Sequence, residues 1–163
     1  MTEFKAPLDR IAIVMTVLIT LFFVFLIVSQ VLTISNEGPK TGPNVIIALV
    51  LFIYTGAYLF RPLKYTVTES GLIIHRPISN VKIRKRQIKH IQLYASRNMY
   101  FAVRTFGVGG LFGYFGRFYT SDNGVMTWYV TRQVRCVLIV TDRGQKIVVS
   151  PNDPEKFIAA LQV

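Results

Sequence analysis

Five cations within eight residues mark the densest charge in the chain: Lys82, Arg84, Lys85, Arg86 and Lys89. Chemically, such a run attracts an anionic surface. Alternation in Val81-Lys-Ile-Arg84 predicts a strand with Val81 and Ile83 turned inward and Lys82 and Arg84 on the outer face. Two readings stay open for them. They are solvated charges that keep a strand edge from pairing, or they meet anionic lipid of an inner leaflet, where each basic residue is worth about 1 kcal/mol.

A second candidate is Gly107-Val-Gly-Gly-Leu-Phe-Gly-Tyr-Phe-Gly116. It looks like a phosphate loop, but the third glycine of a dinucleotide fingerprint falls on Phe112, and the Gly-Lys-Ser/Thr ending of a nucleotide loop is absent. One reading is a kinked hairpin in which glycines permit bulges and aromatics fill the core. The other is a loop whose Phe112, Tyr114 and Phe115 dip into a headgroup layer or dock on a partner. Nine of the 21 aromatic residues fall between Tyr94 and Tyr119, more than one small core easily hides. An exposed patch of that kind marks an interaction site.

Reaction chemistry has little to work with. A triad, a carboxylate pair or a metal cage needs converging His, Cys, Asp and Glu. Beyond Phe60 the chain offers His75, His90, Cys136 and the acids Glu69, Asp122, Asp142, Asp153 and Glu155. Nothing near either histidine has ligand spacing. Cys136 alternates with Val134, Leu138 and Val140, which predicts a buried structural thiol. No catalytic residue, metal or cofactor is therefore expected, and an enzyme is the weakest of the function classes.

The elements that carry these residues divide the chain in two. From Ile11 to Val28 the only polar residues are Thr16 and Thr20, and from Val45 to Phe60 the apolar run is interrupted only by Thr55 and Gly56. A bilayer core asks for about 20 apolar helical residues. The first run reaches that length with Val31, Leu32 and Ile34; the second falls short, and Arg61 and Lys64 can snorkel to the headgroups. Glu3, Asp9 and the length of the first run argue against a cleaved signal peptide. The expectation is a transmembrane hairpin over residues 1–62, with helices at about 11–32 and 44–61 and an extracytoplasmic loop at 33–43. Ala12, Thr16 and Thr20 form a small-residue stripe that would face Gly56 and Ala57 across the hairpin.

Charge orients the hairpin. Residues 61–163 hold sixteen Lys and Arg against five acids, which accounts for the whole formal charge of +11. Arg61 and Lys64 sit at the membrane edge, so both termini are expected in the cytoplasm and the protein in the inner or plasma membrane. A single cysteine excludes an intrachain disulfide.

After Pro62 short β-like runs follow: Leu63–Thr68, Leu72–Arg76, Val81–Arg84, Ile88–Tyr94 with Ile91 and Leu93 on one face, a weaker Trp128–Thr131, Arg135–Thr141 and Lys146–Ser150. Asp153 is a natural cap for a last helix, with Pro154 in its first turn and Phe157 and Leu161 on one face. About seven strands and a closing helix predict a small β-barrel or sandwich over residues 63–163.

Three segments carry a resemblance: Tyr65-Thr-Val-Thr-Glu-Ser-Gly-Leu-Ile-Ile74, Gly109-Gly-Leu-Phe-Gly-Tyr-Phe-Gly116, and Val148-Val-Ser-Pro-Asn-Asp-Pro-Glu-Lys-Phe157. In order and spacing they resemble the bacterial pleckstrin-homology-like (PH-like) domain family, in which membrane hairpins ahead of the domain are common. The resemblance implies two roughly orthogonal antiparallel sheets with the last helix closing one end. It implies no reaction. The function expected is a non-enzymatic, membrane-anchored binding or scaffold module. It would recruit a protein partner, a second copy of itself included, or contact anionic inner-leaflet lipid through its basic and aromatic surface. A nucleic-acid-binding membrane protein is the alternative, because basic charge interleaved with aromatics is also a single-strand platform.

Overall fold

The computed structural model describes every residue except 39–40, 95–98, 100 and 163. Two apolar helices lead. α1 spans Arg10–Glu37 and α2 spans Thr41–Phe60. Asp9 starts α1 by accepting the Ala12 N–H on Oδ1 at 2.7 Å. Gly38 ends it with φ +82° and a bond from its N–H to the Ile34 carbonyl. α1 is long and apolar enough to cross a membrane, and only 6% of its most apolar window is buried.

Both helices run further into the connecting segment than expected. Thr33 to Glu37 continue α1, with the Thr33 hydroxyl donating to the Ser29 carbonyl, because this mostly polar stretch holds no proline or glycine to break the helix. Pro43 falls in the first turn of α2, where a missing N–H costs nothing. The expected loop at 33–43 is accordingly shorter; its Pro39 and Lys40 lie outside the described residues.

A four-stranded antiparallel sheet has the order β1-β2-β3-β4, from Thr2–Lys5, Lys64–Thr68, Gly71–His75 and Val81–Arg84. A six-stranded sheet has the order β5-β9-β10-β8-β7-β6. Its strands are β5 Ile88–Tyr94, β6 Val103–Gly110, β7 Gly113–Thr120, β8 Gly124–Val130, β9 Cys136–Thr141 and β10 Lys146–Val149. A short 3-10 turn, Lys85–Gln87, carries the chain round the corner from one sheet to the other. Among the described residues neither sheet closes on itself, so a barrel is not formed: β4 stays an edge, guarded by Lys82 and Arg84.

Three strands lie outside the runs read as strands from sequence, and two of them make the kinked hairpin that was one reading of the glycine segment. β1 precedes the helices and pairs with β2 beyond them, Lys5 opposite Lys64 and Thr2 opposite Val67. β6 and β7 form the glycine and aromatic hairpin. The strand expected at Trp128–Thr131 is longer, Gly124–Val130.

The core lies between the sheets. Phe4, Tyr65, Leu72 and Ile74 meet Val137, Ile139, Ile147 and Val149, and the last helix, α3 (Pro154–Gln162), adds Phe157 and Leu161. The Asp153 carboxylate accepts the Lys156 N–H at 3.1 Å, the cap expected there. The other face of the six-stranded sheet is also covered, by Met99 and by Ala12 at the start of α1, over Phe118 stacked on Trp128 at 4.1 Å. Ile91 is buried as expected, but Leu93 is exposed, because the cover over its face ends there.

Candidate functional site

The glycine segment is a hairpin aimed at the helices. Its tip, Gly110-Leu-Phe-Gly113, has positive φ at Gly110 (+115°), Phe112 (+59°) and Gly113 (+122°). Glycine meets the first and last at no steric cost, whereas Phe112 accepts a conformation that side chains disfavour. Tertiary contacts hold it there. Its N–H donates to the Thr16 hydroxyl at 2.9 Å, and its ring meets Tyr54 and Tyr58 edge-on at 5.2 and 5.6 Å. The Arg61 guanidinium lies over Tyr58 at 4.4 Å and over Phe112 at 5.4 Å, a cation on two ring faces at the end of α2.

Phe112, Tyr114 and Phe115, a candidate surface on one reading of the sequence and core on the other, are core. All three are buried, at 8%, 6% and 5% exposure. Leu111, Phe112 and Phe115 form one cluster with Ala57 of α2, while Tyr114 joins the core beneath α1 and directs its hydroxyl at Asp9. Among the described residues from Tyr94 to Tyr119 the aromatics left in the open are others, Phe101 and Phe106 at 77% and 76% and Tyr119 at 47%.

The small-residue stripe is used in a different way from the one expected. Ala12 is fully buried against the six-stranded sheet, not against α2. Thr16 faces the hairpin tip, and Thr20 reaches α2 through the Tyr54 hydroxyl at 3.1 Å. Ala57 packs on Leu111, Phe112 and Phe115. A Cβ built on Gly56 meets nothing within 4 Å, so no close helix approach depends on it. The small side chains make room for a β-hairpin.

The basic cluster starts at Lys82, midway along β4 and opposite Ile73, and reaches the other end of the sheets at Arg84. Lys64 pairs with His75 beside the helix ends, and four register steps further Thr68 pairs with Gly71, which also faces Arg84. At ~3.4 Å per residue the two ends stand roughly 13 Å apart. Lys82, Arg84, Arg86 and Lys89 are exposed and Lys85 is half-buried. Lys82 also lines a groove of about 490 Å³ between β4 and the far end of the six-stranded sheet, with Arg117, Arg143 and Lys146 and a single carboxylate, Asp142. Arg117 is four residues from Gly113 at the tip, again roughly 13 Å away. Among the described residues the ion pairs are Lys64–Glu3, Arg135–Glu155 and Lys156–Asp153, and none involves this cluster. Sequence reasoning found Lys82 to Lys89 but missed Arg117, Arg143 and Lys146, which only the two-sheet arrangement brings alongside.

The reactive groups are spent on structure. Cys136 is fully buried, donates toward the Arg132 carbonyl at 3.1 Å, and is pushed up to about 12 by burial, so it holds its proton. Tyr65 is likewise raised to about 12 by burial, its hydroxyl donating to the Tyr129 carbonyl. His75 bonds Thr66 at 2.9 Å and His90 bonds Gln92 at 3.1 Å. Among the described residues no three of His, Cys, Asp and Glu converge as metal ligands would.

Compared with known proteins, residues 63–163 match a family model described as Bacterial PH domain. No curated protein matches the chain. No solved structure matches it either.

Proposed function

Because the chain belongs to the bacterial PH domain family, we propose that it is a membrane-anchored, non-enzymatic binding module that recruits an acidic protein partner through the end of its sheets remote from the helices. The family scaffold supports a binding role and names no ligand.

Anchoring is supported by a topological argument. α1 is long and apolar enough to cross a bilayer. β1 and β2, one before α1 and one after α2, are hydrogen-bonded neighbours, so the chain between them must return to the side it left. One crossing by α1 thus requires a second. α2, with 20 residues, is about 30 Å long and supplies it. Arg61 and Lys64 at its end favour the cytoplasm for the sheets. With Cys136→Ala as background, a cysteine at Ser35 should be labelled from outside intact cells by a membrane-impermeant thiol reagent. Labelling only after lysis would invert the topology.

One observation carries the choice of partner. Arg84 stands four register steps, roughly 13 Å, along the strands from the helix ends, beyond the Debye length of about 8 Å at physiological salt, while Lys82, opposite Ile73, stands two steps from them. Arg84 and the Lys85–Gln87 turn beyond it are therefore screened from the bilayer that holds the helices, and open to an acidic protein. Photocrosslinkers placed at Arg86 and Lys89 in native membranes should give protein adducts that weaken at high salt and are competed by a glutamate-rich peptide. Adducts to phospholipid at those positions would replace protein recruitment by lipid contact.

A further inference from the structure

We infer that a groove at the foot of α2 holds one acyl chain of an anionic phospholipid, with the lipid phosphate at Arg76. The inference rests on the membrane-spanning reading of α1 and α2. The groove measures about 380 Å³ and lies between α2 and the six-stranded sheet, walled by Gly56, Phe60, Phe106, Phe115 and Tyr129 with Arg76 at its rim.

Three features select this occupant. The first is continuity with the lipid-facing surface. Ile53, Gly56 and Phe60 fall at i, i+3 and i+7 on one face of α2, with Ile53 and Phe60 exposed. An acyl chain lying along that face runs straight into the groove. The second is the space itself. Gly56 leaves its wall open, since a Cβ there meets nothing within 4 Å. Opposite it Phe106 is 76% exposed, an apolar area that water leaves uncovered and a lipid chain would cover.

The third is charge. Arg76 is held in place by its own loop, with Nε donating to the Ser79 carbonyl and Nη2 to the Ser79 hydroxyl, both at 3.0 Å. The guanidinium lies beside the Phe60 and Tyr129 rings at 5.5 and 5.6 Å. Among the described residues no carboxylate is within ion-pair reach of it. A positioned arginine without a counter-ion, at the rim of an apolar slot, is matched to phosphate oxygens above an acyl tail. A soluble small ligand would need more converging polar groups than this lining provides.

The test uses the full chain in nanodiscs with phosphatidylcholine or phosphatidylglycerol that carries a photoactivatable diazirine on one acyl chain. Labelled residues are mapped by mass spectrometry. Phosphatidylglycerol should label the groove, around Phe106 and Phe115, as well as Phe22 and Phe25 on the exposed surface of α1. Gly56→Leu puts a side chain into the slot from a position where its Cβ meets no neighbour within 4 Å, and should cut groove labelling several-fold while α1 labelling stays constant. Arg76→Gln should lower groove labelling by phosphatidylglycerol and leave that by phosphatidylcholine unchanged. The melting transition followed by Trp128 fluorescence checks that each variant is folded, and Phe106→Ser replaces any that is not. Labelled α1 with an unlabelled groove, or groove labelling indifferent to Gly56→Leu, overturns the acyl site alone. Equal loss for both lipids on Arg76→Gln overturns the phosphate assignment. Absent labelling of α1 overturns the membrane reading together with it.

Discussion

The two ends of the sheets stand in contrast. At the helix-facing end, Phe112 sits among Tyr54, Tyr58 and Arg61, and Asp9 ties the start of α1 to the six-stranded sheet. At the far end, Lys82, Arg84, Arg86 and Lys89 project into solvent. Both ends are rich in residues that sequence alone would put on a binding surface. Only one keeps them there. Aromatic side chains gain by burial and are taken up by whatever apolar surface lies near, whereas unpaired cations lose by it and stay out. Proximity to an apolar helix pair decides which candidates survive as surface.

That contrast can be broken by substitution. Phe112→Ala should have the largest effect, about 3 kcal/mol of stability, because the ring is buried between α2 and the hairpin tip. It should also expose the link at Arg61 to Leu63 to protease in detergent-purified chain. An unchanged melt and cleavage pattern would mean that the hairpin does not hold the domain to the helices.

Asp9→Ala comes next, at about 2 kcal/mol, the sum of a lost helix cap and a lost cross-link. Its Oδ2 accepts the Gln133 N–H at 3.0 Å while Oδ1 caps α1. Asp9→Asn keeps much of the cap and should recover part of the loss in thermal denaturation. Equal losses for the two variants would deny Asp9 its capping role.

The combined change of Lys82, Arg84, Lys85 and Arg86 to glutamine should be nearly silent, within about 0.5 kcal/mol, as surface substitutions are. The same protein should lose its salt-sensitive protein adducts. A marked drop in melting temperature would show that the far end is structural after all.

Much of this was legible beforehand. β2 to β4 and α3 follow period-2 or 3.6 patterns that one covered face imprints on a sequence, while β9 and β10, covered on both faces, stand out as short apolar runs bounded by turn residues. β6 and β7 were legible only as a kinked hairpin, one of two readings, because Gly110 to Phe115 are all buried and Val103 to Gly107 all exposed, so no alternation exists to read. β1 escaped because only Phe4 of its four residues is buried, and its partner is some sixty residues away. The basic cluster was legible as a run, but its distance from the helix ends depended on register. The Arg76 groove was invisible, being assembled from α2, the turn after β3, and three strands.

The pairing of β1 with β2 has a consequence for how the chain is made. β1 leaves the ribosome first, yet Lys64, the partner of Lys5, is added only about sixty residues later. At 5–20 residues per second that delay is roughly three to twelve seconds. During it the N-terminal segment has no sheet to join, and on the membrane-anchored reading proposed above both helices are delivered to the bilayer in that interval. On that reading a nascent chain whose N-terminus went to the wrong side could never zip β1 onto β2, so β1 would act as a late inspection of insertion, completed only by chains in which β1 and β2 share a compartment.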